Sequence, residues 1–312
     1  MITSVPGFKV GHYTDKENLT GCTVILCPPK TRASCEVRGA SPGSRELALL
    51  APDKRMDEIH AILLTGGSAF GLGAADGVMK WLEEHDVGYQ TPWVKVPIVP
   101  TAVVFDLNVG NAKVRPGPQA GYEACVNATS GKIQEGAVGA GTGTTVGKWK
   151  GSEFWMKGGV GTASMAVGDV VVGAIAVVNS VGDIYGTDGK IIAGARKPEG
   201  GFFADSEPMR VFARGKVLEK TNTTLVVVAT NATFTKTELF RIAQRMHDGM
   251  SRAIKPSHTS YDGDVTFACS WGNVVSDFDL VAEISADLTA ESIRRAVKAA
   301  VTVAGIPGLA SA

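Results

Sequence analysis

The sequence of 312 residues carries 31 lysines and arginines against 31 aspartates and glutamates, so its formal net charge is zero. This balance argues against a nucleic-acid or membrane-surface partner, because both select a basic excess. The hydrophobic fraction of 44% is typical of a globular protein, and one large α/β domain can accommodate residues 1–312.

Targeting and redox signals are weak. Residues 1–7 lack the positive flank and apolar core of a signal peptide, and the longest apolar run, 170–178, is far shorter than the ~20 residues that span a bilayer. The cysteines and histidines are scattered without zinc spacing. We therefore expect a cytoplasmic protein with reduced thiols and no metal site.

Hydrophobic patterns along the chain predict alternating strands and helices. Segment 60–64 is typical of a strand, and the apolar residues of 69–84 recur at helical spacing. Two prolines interrupt the extended segment 94–106, and 138–148 is a glycine-rich loop. The continuous apolar runs 170–178 and 225–229 predict strands that are buried on both faces.

Two helices are predicted in the C-terminal third. Thr235 and Glu238 form a capping box at the start of the first, and Pro256 ends it. The second is predicted over 290–303. Because strands buried on both faces need a covering layer on each side, these elements predict a layered α/β sandwich in a single domain.

Two glycine-rich segments approach catalytic motifs but break their patterns. A phosphate-binding loop over 139–148 would need glycine and Ser or Thr where Thr142 and Trp149 stand. A nucleophile elbow over 66–71 would need glycine where Phe70 stands. We favour structural roles for both, and a nucleotide-binding module at 139–148 stays as an alternative function.

Thr223 places a hydroxyl at the mouth of the buried strand 225–229. A threonine hydroxyl is a weak nucleophile until a base removes its proton. If the bond between Asn222 and Thr223 is cut, the new α-amine, with a reference pKa of about 7.7–8.0, can be that base. The pattern also fits an ordinary polar turn before a core strand.

Several stretches spread over the chain resemble the DmpA-type L-aminopeptidase/D-esterase family, which includes β-peptidyl aminopeptidases and nylon-oligomer hydrolases. The likeness implies the four-layer α/β/β/α sandwich shared with ornithine acetyltransferase. It also implies self-cleavage into an α chain, 1–222, and a β chain, 223–312, with the pairs assembled as a homo-oligomer, a tetramer. The matching stretches are 10–14, 38–43, 64–72, 157–164 and the region around 222–223.

The same resemblance implies roles for individual residues. Thr223 matches the nucleophile and Asn222 the residue before the cut. Asn179 matches an asparagine whose amide stabilises the oxyanion, a contribution of ~3–4 kcal/mol. Lys148 matches a lysine near the nucleophile, where a cation favours a neutral α-amine.

Asp262 and Asp264 match two aspartates that orient the nucleophile and its amine. With Thr223, they bring the chain closer to the threonine branch, that of the nylon-oligomer hydrolases, than to the serine aminopeptidases. Phe105 is a departure, because family members with tyrosine there can use its hydroxyl near the substrate and phenylalanine cannot donate. Phe105, Gly67 and Ser68 are the candidates for the substrate pocket.

The expected activity is hydrolysis of amide or ester bonds through an acyl-enzyme on Thr223, without a metal or organic cofactor. Short peptides, amino-acid amides and ω-amino-acid oligomers are the expected substrates. Two alternatives keep the same fold: an acyltransferase of the ornithine acetyltransferase type, and an uncleaved, non-catalytic relative that binds small molecules.

Overall fold

The computed structural model describes residues 1–207 and 222–311. The α-helices are α1 (Ala74–Glu84), α2 (Pro118–Val126), α3 (Lys236–Ala253) and α4 (Phe278–Lys298). The first eight strands are β1 (Lys9–Asp15), β2 (Thr20–Val37), β3 (Ser44–Arg45), β4 (Glu58–Thr65), β5 (Tyr89–Gln90), β6 (Lys95–Val96), β7 (Thr101–Val103) and β8 (Thr145–Val146). The others are β9 (Met156–Lys157), β10 (Gly159–Val167), β11 (Val170–Asn179), β12 (Asp183–Tyr185), β13 (Ile191–Ala193), β14 (Thr223–Ala232), β15 (Ile254–Lys255) and β16 (Val265–Val274).

The main sheet has nine strands in the order β10-β11-β14-β16-β2-β4-β7-β3, with β1 paired to β2. Its long strand β2 connects two halves. The first part of β2 pairs with β1 and β4, and its last part, from Arg32 onward, pairs with β16. The register of β2 against β4 shifts between Leu26 and Thr31, where the strand can bend. The two halves of one hydrogen-bonded sheet thereby form two layers.

Three hydrophobic cores separate four layers. Alternation along β14 shows the arrangement: Val226 and Val228 pack in the core shared with α3 and α4, whereas Leu225 and Val227 pack in the core between the two sheet layers. The third core lies between β2, β4 and the helices α1 and α2. Side chains fully buried in this way contribute ~1.5–3 kcal/mol each, so both faces of β14 stabilise the fold. The predicted α/β/β/α sandwich is confirmed.

Two predicted helix starts are wrong. The segment predicted as a helix from residue 69 begins with a 3-10 turn, Ser68–Gly73, and α1 begins only at Ala74. The last helix begins at Phe278, where the Asp277 side chain caps it, well before residue 290. Buried hydroxyls in α4, which bond to carbonyls one turn back, interrupt the apolar periodicity that would reveal its first half. The short helix α2 was not predicted.

Three neighbouring strand ends form one site. Asn179 at the end of β11 is the register partner of Thr223 at the start of β14, since these strands are antiparallel. Strand β16 runs parallel to β14 and pairs Val265 with Leu225, which places residues 262–264 beside Thr223. In the part of the chain that the structure describes, no helix has the length and apolar character to cross a bilayer.

Candidate active site

Thr223 is buried at the start of β14, directly after Asn222. Its hydroxyl donates to the carbonyl oxygen of Asn222 at 2.5 Å. The backbone N–H of Gly263 donates to the same oxygen at 2.8 Å. The carbonyl that precedes Thr223 therefore accepts two hydrogen bonds, which withdraw electron density from its carbon atom.

The turn Asp262–Gly263–Asp264 packs against the start of β14. Asp264 Oδ1 accepts the backbone N–H of Thr224 at 2.7 Å. Its Oδ2 accepts from the backbone N–H of His258 at 3.2 Å and lies 2.8 Å from His258 Nδ1. His258 adopts a positive φ of 55°, an uncommon conformation for a non-glycine residue. A strained backbone thus holds the ring that contacts this buried carboxylate.

Asp262 occupies a different environment from Asp264. Its Oδ2 accepts from the Thr259 backbone N–H at 2.9 Å and from the Thr259 hydroxyl at 2.6 Å. Burial and, second to it, the charge of Asp264 together raise the pKa of Asp262 to about 6, against the opposing effect of the bonds from Thr259. Asp262 can therefore change protonation state just below neutral pH.

Backbone N–H groups of the stretch 38–43 hold the turn 262–264 in place. Arg38 and Gly39 donate their backbone N–H groups to the Asp264 carbonyl, and Ser41 donates to that of Asp262. A Cβ on Gly39 would lie 2.1 Å from the Asp264 nitrogen, so only glycine permits this approach. One of the stretches that carry the family resemblance therefore supports the site directly.

Asn179 and Lys148 form a second buried group beside Thr223. Asn179 Oδ1 accepts from Lys148 Nζ at 2.7 Å and from the backbone N–H of Thr145 at 3.0 Å. Its Nδ2 donates to the carbonyl of Phe105 at 2.9 Å. These contacts fix the orientation of the amide, with its donor side towards Phe105. The contact of Lys148 with this site is therefore its hydrogen bond to the Asn179 side chain.

The glycine-rich loop 139–148 contacts this site through Thr145 and Lys148, which both donate to Asn179. Its Lys148 side chain turns inward to Asn179, and the buried Lys157 ammonium donates to the carbonyls of Thr142 and Thr144 at 2.8 and 2.7 Å. The loop carbonyls therefore hold an ammonium group of the protein. This arrangement does not favour the nucleotide-binding alternative, since a phosphate cradle presents N–H donors.

A cavity of about 200 Å³ opens beside Thr223. Phe105 and Ser68, two of the predicted pocket residues, line it, whereas Gly67 does not. Gly67 lies behind the wall with a φ of +82°, and its N–H donates to the buried Asp106 carboxylate at 2.7 Å. The full lining is Ser41, Pro42, Gly43, Ser68, Ala69, Val103, Phe105, Asn222 and Thr223.

Several members of the site were not identified from the sequence. The resemblance to the threonine branch included Gly263, between the two aspartates, and His258, just before them, but it gave no role to the Gly263 N–H or to the His258 ring. Ser41, Pro42 and Gly43 could have been found, because they belong to the family-like stretch 38–43 that otherwise had no role. Within 1–207 and 222–311, no group of three or more acidic, histidine or cysteine side chains could hold a metal ion.

The family model described as peptidase family S58 matches residues 1–310. The chain belongs to this family. A sequence relative, an uncharacterized aminopeptidase of Mycobacterium leprae, is 39% identical over 98% of this chain and 92% of its own length. A 6-aminohexanoate-oligomer endohydrolase of Agromyces sp. is 32% identical over 84% of this chain and 72% of its own length. The family predicted from the sequence is confirmed.

Solved structures agree with this S58 assignment at the level of the fold. The L-aminopeptidase D-Ala-esterase/amidase from Ochrobactrum anthropi has a TM-score of 0.76 at 21% identity, over 98% of this chain and 88% of that one. A β-aminopeptidase from Burkholderia sp. has a TM-score of 0.74 at 22% identity, over 99% and 90%. Family membership and the names of the sequence relatives make this S58 protein a peptide or amide hydrolase.

Proposed function

We propose that this protein is a self-processing amidohydrolase, which cuts its own chain between Asn222 and Thr223 and then uses Thr223 as an N-terminal nucleophile. The observation that carries the proposal is the pair of donors on one carbonyl. The Asn222 oxygen accepts from the Thr223 hydroxyl at 2.5 Å and from the Gly263 N–H at 2.8 Å. The proposed nucleophile and an oxyanion donor therefore both contact the carbonyl oxygen of the peptide group to be cut.

Self-cleavage would proceed by transfer of the acyl group from nitrogen to oxygen. The Thr223 oxygen bonds to the Asn222 carbonyl carbon, and the Gly263 N–H stabilises the negative charge on the carbonyl oxygen. The C–N bond then breaks, and the proton lost by the hydroxyl ends on the new α-amine. Water hydrolyses the resulting ester, which leaves a carboxylate on Asn222 and a free hydroxyl on Thr223.

Turnover of a substrate would reuse the same groups. The α-amine of Thr223 removes the hydroxyl proton, and the hydroxyl attacks an amide or ester carbonyl to give an acyl-enzyme and a free amine or alcohol. Asn179 would donate to the oxyanion, and Lys148, held against Asn179 Oδ1, favours a neutral α-amine. Asp264, through the Thr224 N–H, and Asp262 would orient the first residues of the β chain.

The two fragments would stay together after cleavage. Strand β14 is paired with β11 on one side and with β16 on the other, and both of its faces are buried. The α chain 1–222 and the β chain 223–312 therefore share one core. Assembly of such pairs into a tetramer and a cytoplasmic location are parts of the proposal, as are short peptides, amino-acid amides and ω-amino-acid oligomers as substrates.

The test is a denaturing gel with N-terminal sequencing of the smaller band. The expected start is Thr-Thr-Leu-Val-Val-Val, residues 223–228. Thr223→Ser should still cut itself, whereas Thr223→Ala should stay at the full 32.5 kDa and hydrolyse nothing. Hydrolysis by the uncut Thr223→Ala variant would place the nucleophile elsewhere. Transfer of the acyl group to an added amine in preference to water would favour the acyltransferase.

A further inference from the structure

The cavity beside Thr223 is too small to hold a whole oligomeric substrate. Its volume of about 200 Å³ lies below the roughly 300–1,000 Å³ of common ligand sites, and its lining side chains carry no charge. It can accept a short acyl portion. The remainder of any longer substrate has to run from the cavity to the protein surface.

The cavity wall continues onto the surface at Phe70. Ser68 and Ala69 line the cavity, and the next residue, Phe70, is 64% exposed. The guanidinium carbon of Arg115 lies 4.1 Å from the centre of the Phe70 ring. Gly67 permits this approach, because a Cβ there would lie 3.1 Å from the Arg115 Cβ. The end of the wall is thus an aromatic ring with a cation stacked on it.

Arg115 is held in place without an acidic partner. Its Nη1 donates to the carbonyl of Ala112 at 2.8 Å, and its guanidinium is stacked on Phe70. Among the described residues, no carboxylate lies within ion-pair range of Arg115. A guanidinium offers five N–H donors in a planar fork that matches a carboxylate, and the contacts with Phe70 and Ala112 restrict the position of this one before a ligand arrives.

We infer that Phe70 and Arg115 form a subsite for the terminal carboxylate of a short linear amide substrate, on the side of the leaving amine. The acyl portion would fill the cavity next to Thr223, the exposed part of the Phe70 ring would contact the methylene and amide groups, and Arg115 would bind the carboxylate. This inference rests on the proposed amidohydrolase function and names its substrate class: short oligoamides with a free carboxyl end.

The test compares two substrates that differ only in their end group, a short ω-amino-acid oligomer with a free carboxylate and the same oligomer with a terminal carboxamide. The wild-type enzyme should prefer the carboxylate in kcat/KM by roughly tenfold or more, as expected for a charge-assisted hydrogen bond. Arg115→Gln should bring the ratio close to one, mainly through KM. Lys113→Gln, which removes an exposed cation two residues away, should leave the ratio unchanged.

Self-cleavage gives an independent readout. Arg115→Gln should cut itself as the wild type does, because Arg115 makes none of the contacts around Asn222. Equal hydrolysis of both substrates by the wild type, or a preference that survives in Arg115→Gln, would overturn the subsite and leave the proposed function standing. A wild-type chain that stays uncut and hydrolyses neither substrate would overturn the proposed function and the subsite with it.

Discussion

Asn179 lies directly opposite Thr223 in the antiparallel pairing of β11 with β14. Because both strands are buried in the centre of the sheet, the ladder fixes the two backbones relative to each other. Lys148 and the Thr145 N–H then fix the rotation of the amide through its Oδ1. The amide that we propose as an oxyanion donor is therefore held in one orientation by the protein itself, which is the condition for efficient electrostatic stabilisation.

The first prediction separates the role of the Asn179 amide oxygen from that of its N–H group. Asn179→Asp keeps an oxygen acceptor for Lys148 but has no N–H to donate when ionised. We expect kcat to fall by roughly 10²–10³, as when one oxyanion donor is removed, and the unfolding midpoint to fall as well, because a carboxylate oxygen would replace the N–H that donates to the Phe105 carbonyl. Asn179→Ala removes the acceptor as well and should also lower stability. Unchanged turnover in Asn179→Asp, measured on any cleaved substrate, would limit Asn179 to a structural role.

The second prediction concerns the space around Gly263. A Cβ on Gly263 would lie 2.8 Å from Thr223 Oγ1 and 2.7 Å from the Ser41 carbonyl oxygen. Gly263→Ala must therefore displace the hydroxyl or the turn that donates to Asn222, and self-cleavage should slow by at least roughly tenfold. The time course of band conversion on a denaturing gel measures this rate.

Gly117→Ala is the matched control for this prediction, because nothing lies within 4 Å of a Cβ at Gly117. Its self-cleavage should match that of the wild type. If Gly263→Ala cut itself as fast as Gly117→Ala, the contact between the Gly263 N–H and the Asn222 oxygen would have no part in the reaction.

The third prediction follows from the pKa of Asp262, which is raised to about 6. The unfolded value is about 3.9, so between pH 4 and 6 the folded state binds more protons than the unfolded state. The contribution of Asp262 to the free energy of unfolding should therefore fall as pH rises through this window, by roughly 3 kcal/mol at most. Above pH 6 this contribution should no longer change. Asp262→Asn cannot ionise and should lose this part of the decline.

Urea unfolding at pH 4, 5, 6 and 7 measures this effect. The protein with Asp262 and the Asp262→Asn variant are compared in the uncut Thr223→Ala background, so that each is a single chain. Asp188→Asn, which changes an exposed aspartate, is the control and should retain the wild-type decline. Identical slopes in the Asp262→Asn variant and the control would mean that Asp262 is ionised throughout this pH range in the folded protein.

The layered core was predictable from the sequence, whereas the contacts that complete the site were not. The apolar runs of β11 and β14 have the double-sided burial that their composition indicates. The proximity of Asp262 and Asp264 to Thr223 could be expected only from the family resemblance, because it depends on the parallel pairing of β14 with β16. The Gly263 N–H gives no sequence signal, since every residue except proline carries the same donor.

Lys157 illustrates the same limit for a charged side chain. Lysine is almost never fully buried without a partner, so a sequence pattern favours the surface for this residue. In the structure its ammonium is enclosed and donates to the carbonyls of Thr142 and Thr144, whose peptide groups lie in the loop that carries Lys148. Pairing of β8, which lies in this loop, with β9 brings these acceptors to Lys157, and the local sequence does not reveal that pairing.

The last prediction uses the titration of this lysine. Burial lowers the pKa of Lys157 to about 7, against the opposing charge of Asp106. Above pH 7 the folded state therefore releases a proton that the unfolded state keeps up to about pH 10.4, so this group makes stability rise with pH between about 7 and 10. Lys157→Met should lose that rise, and it should also lower kcat, because the loop that holds Lys148 against Asn179 loses its two anchors.

Unfolding midpoints at pH 7, 8, 9 and 10, again in the uncut Thr223→Ala background, measure the slope. Lys113→Met, at an exposed position, should keep the wild-type slope; equal slopes in the two variants would show that the ammonium of Lys157 stays protonated inside the fold.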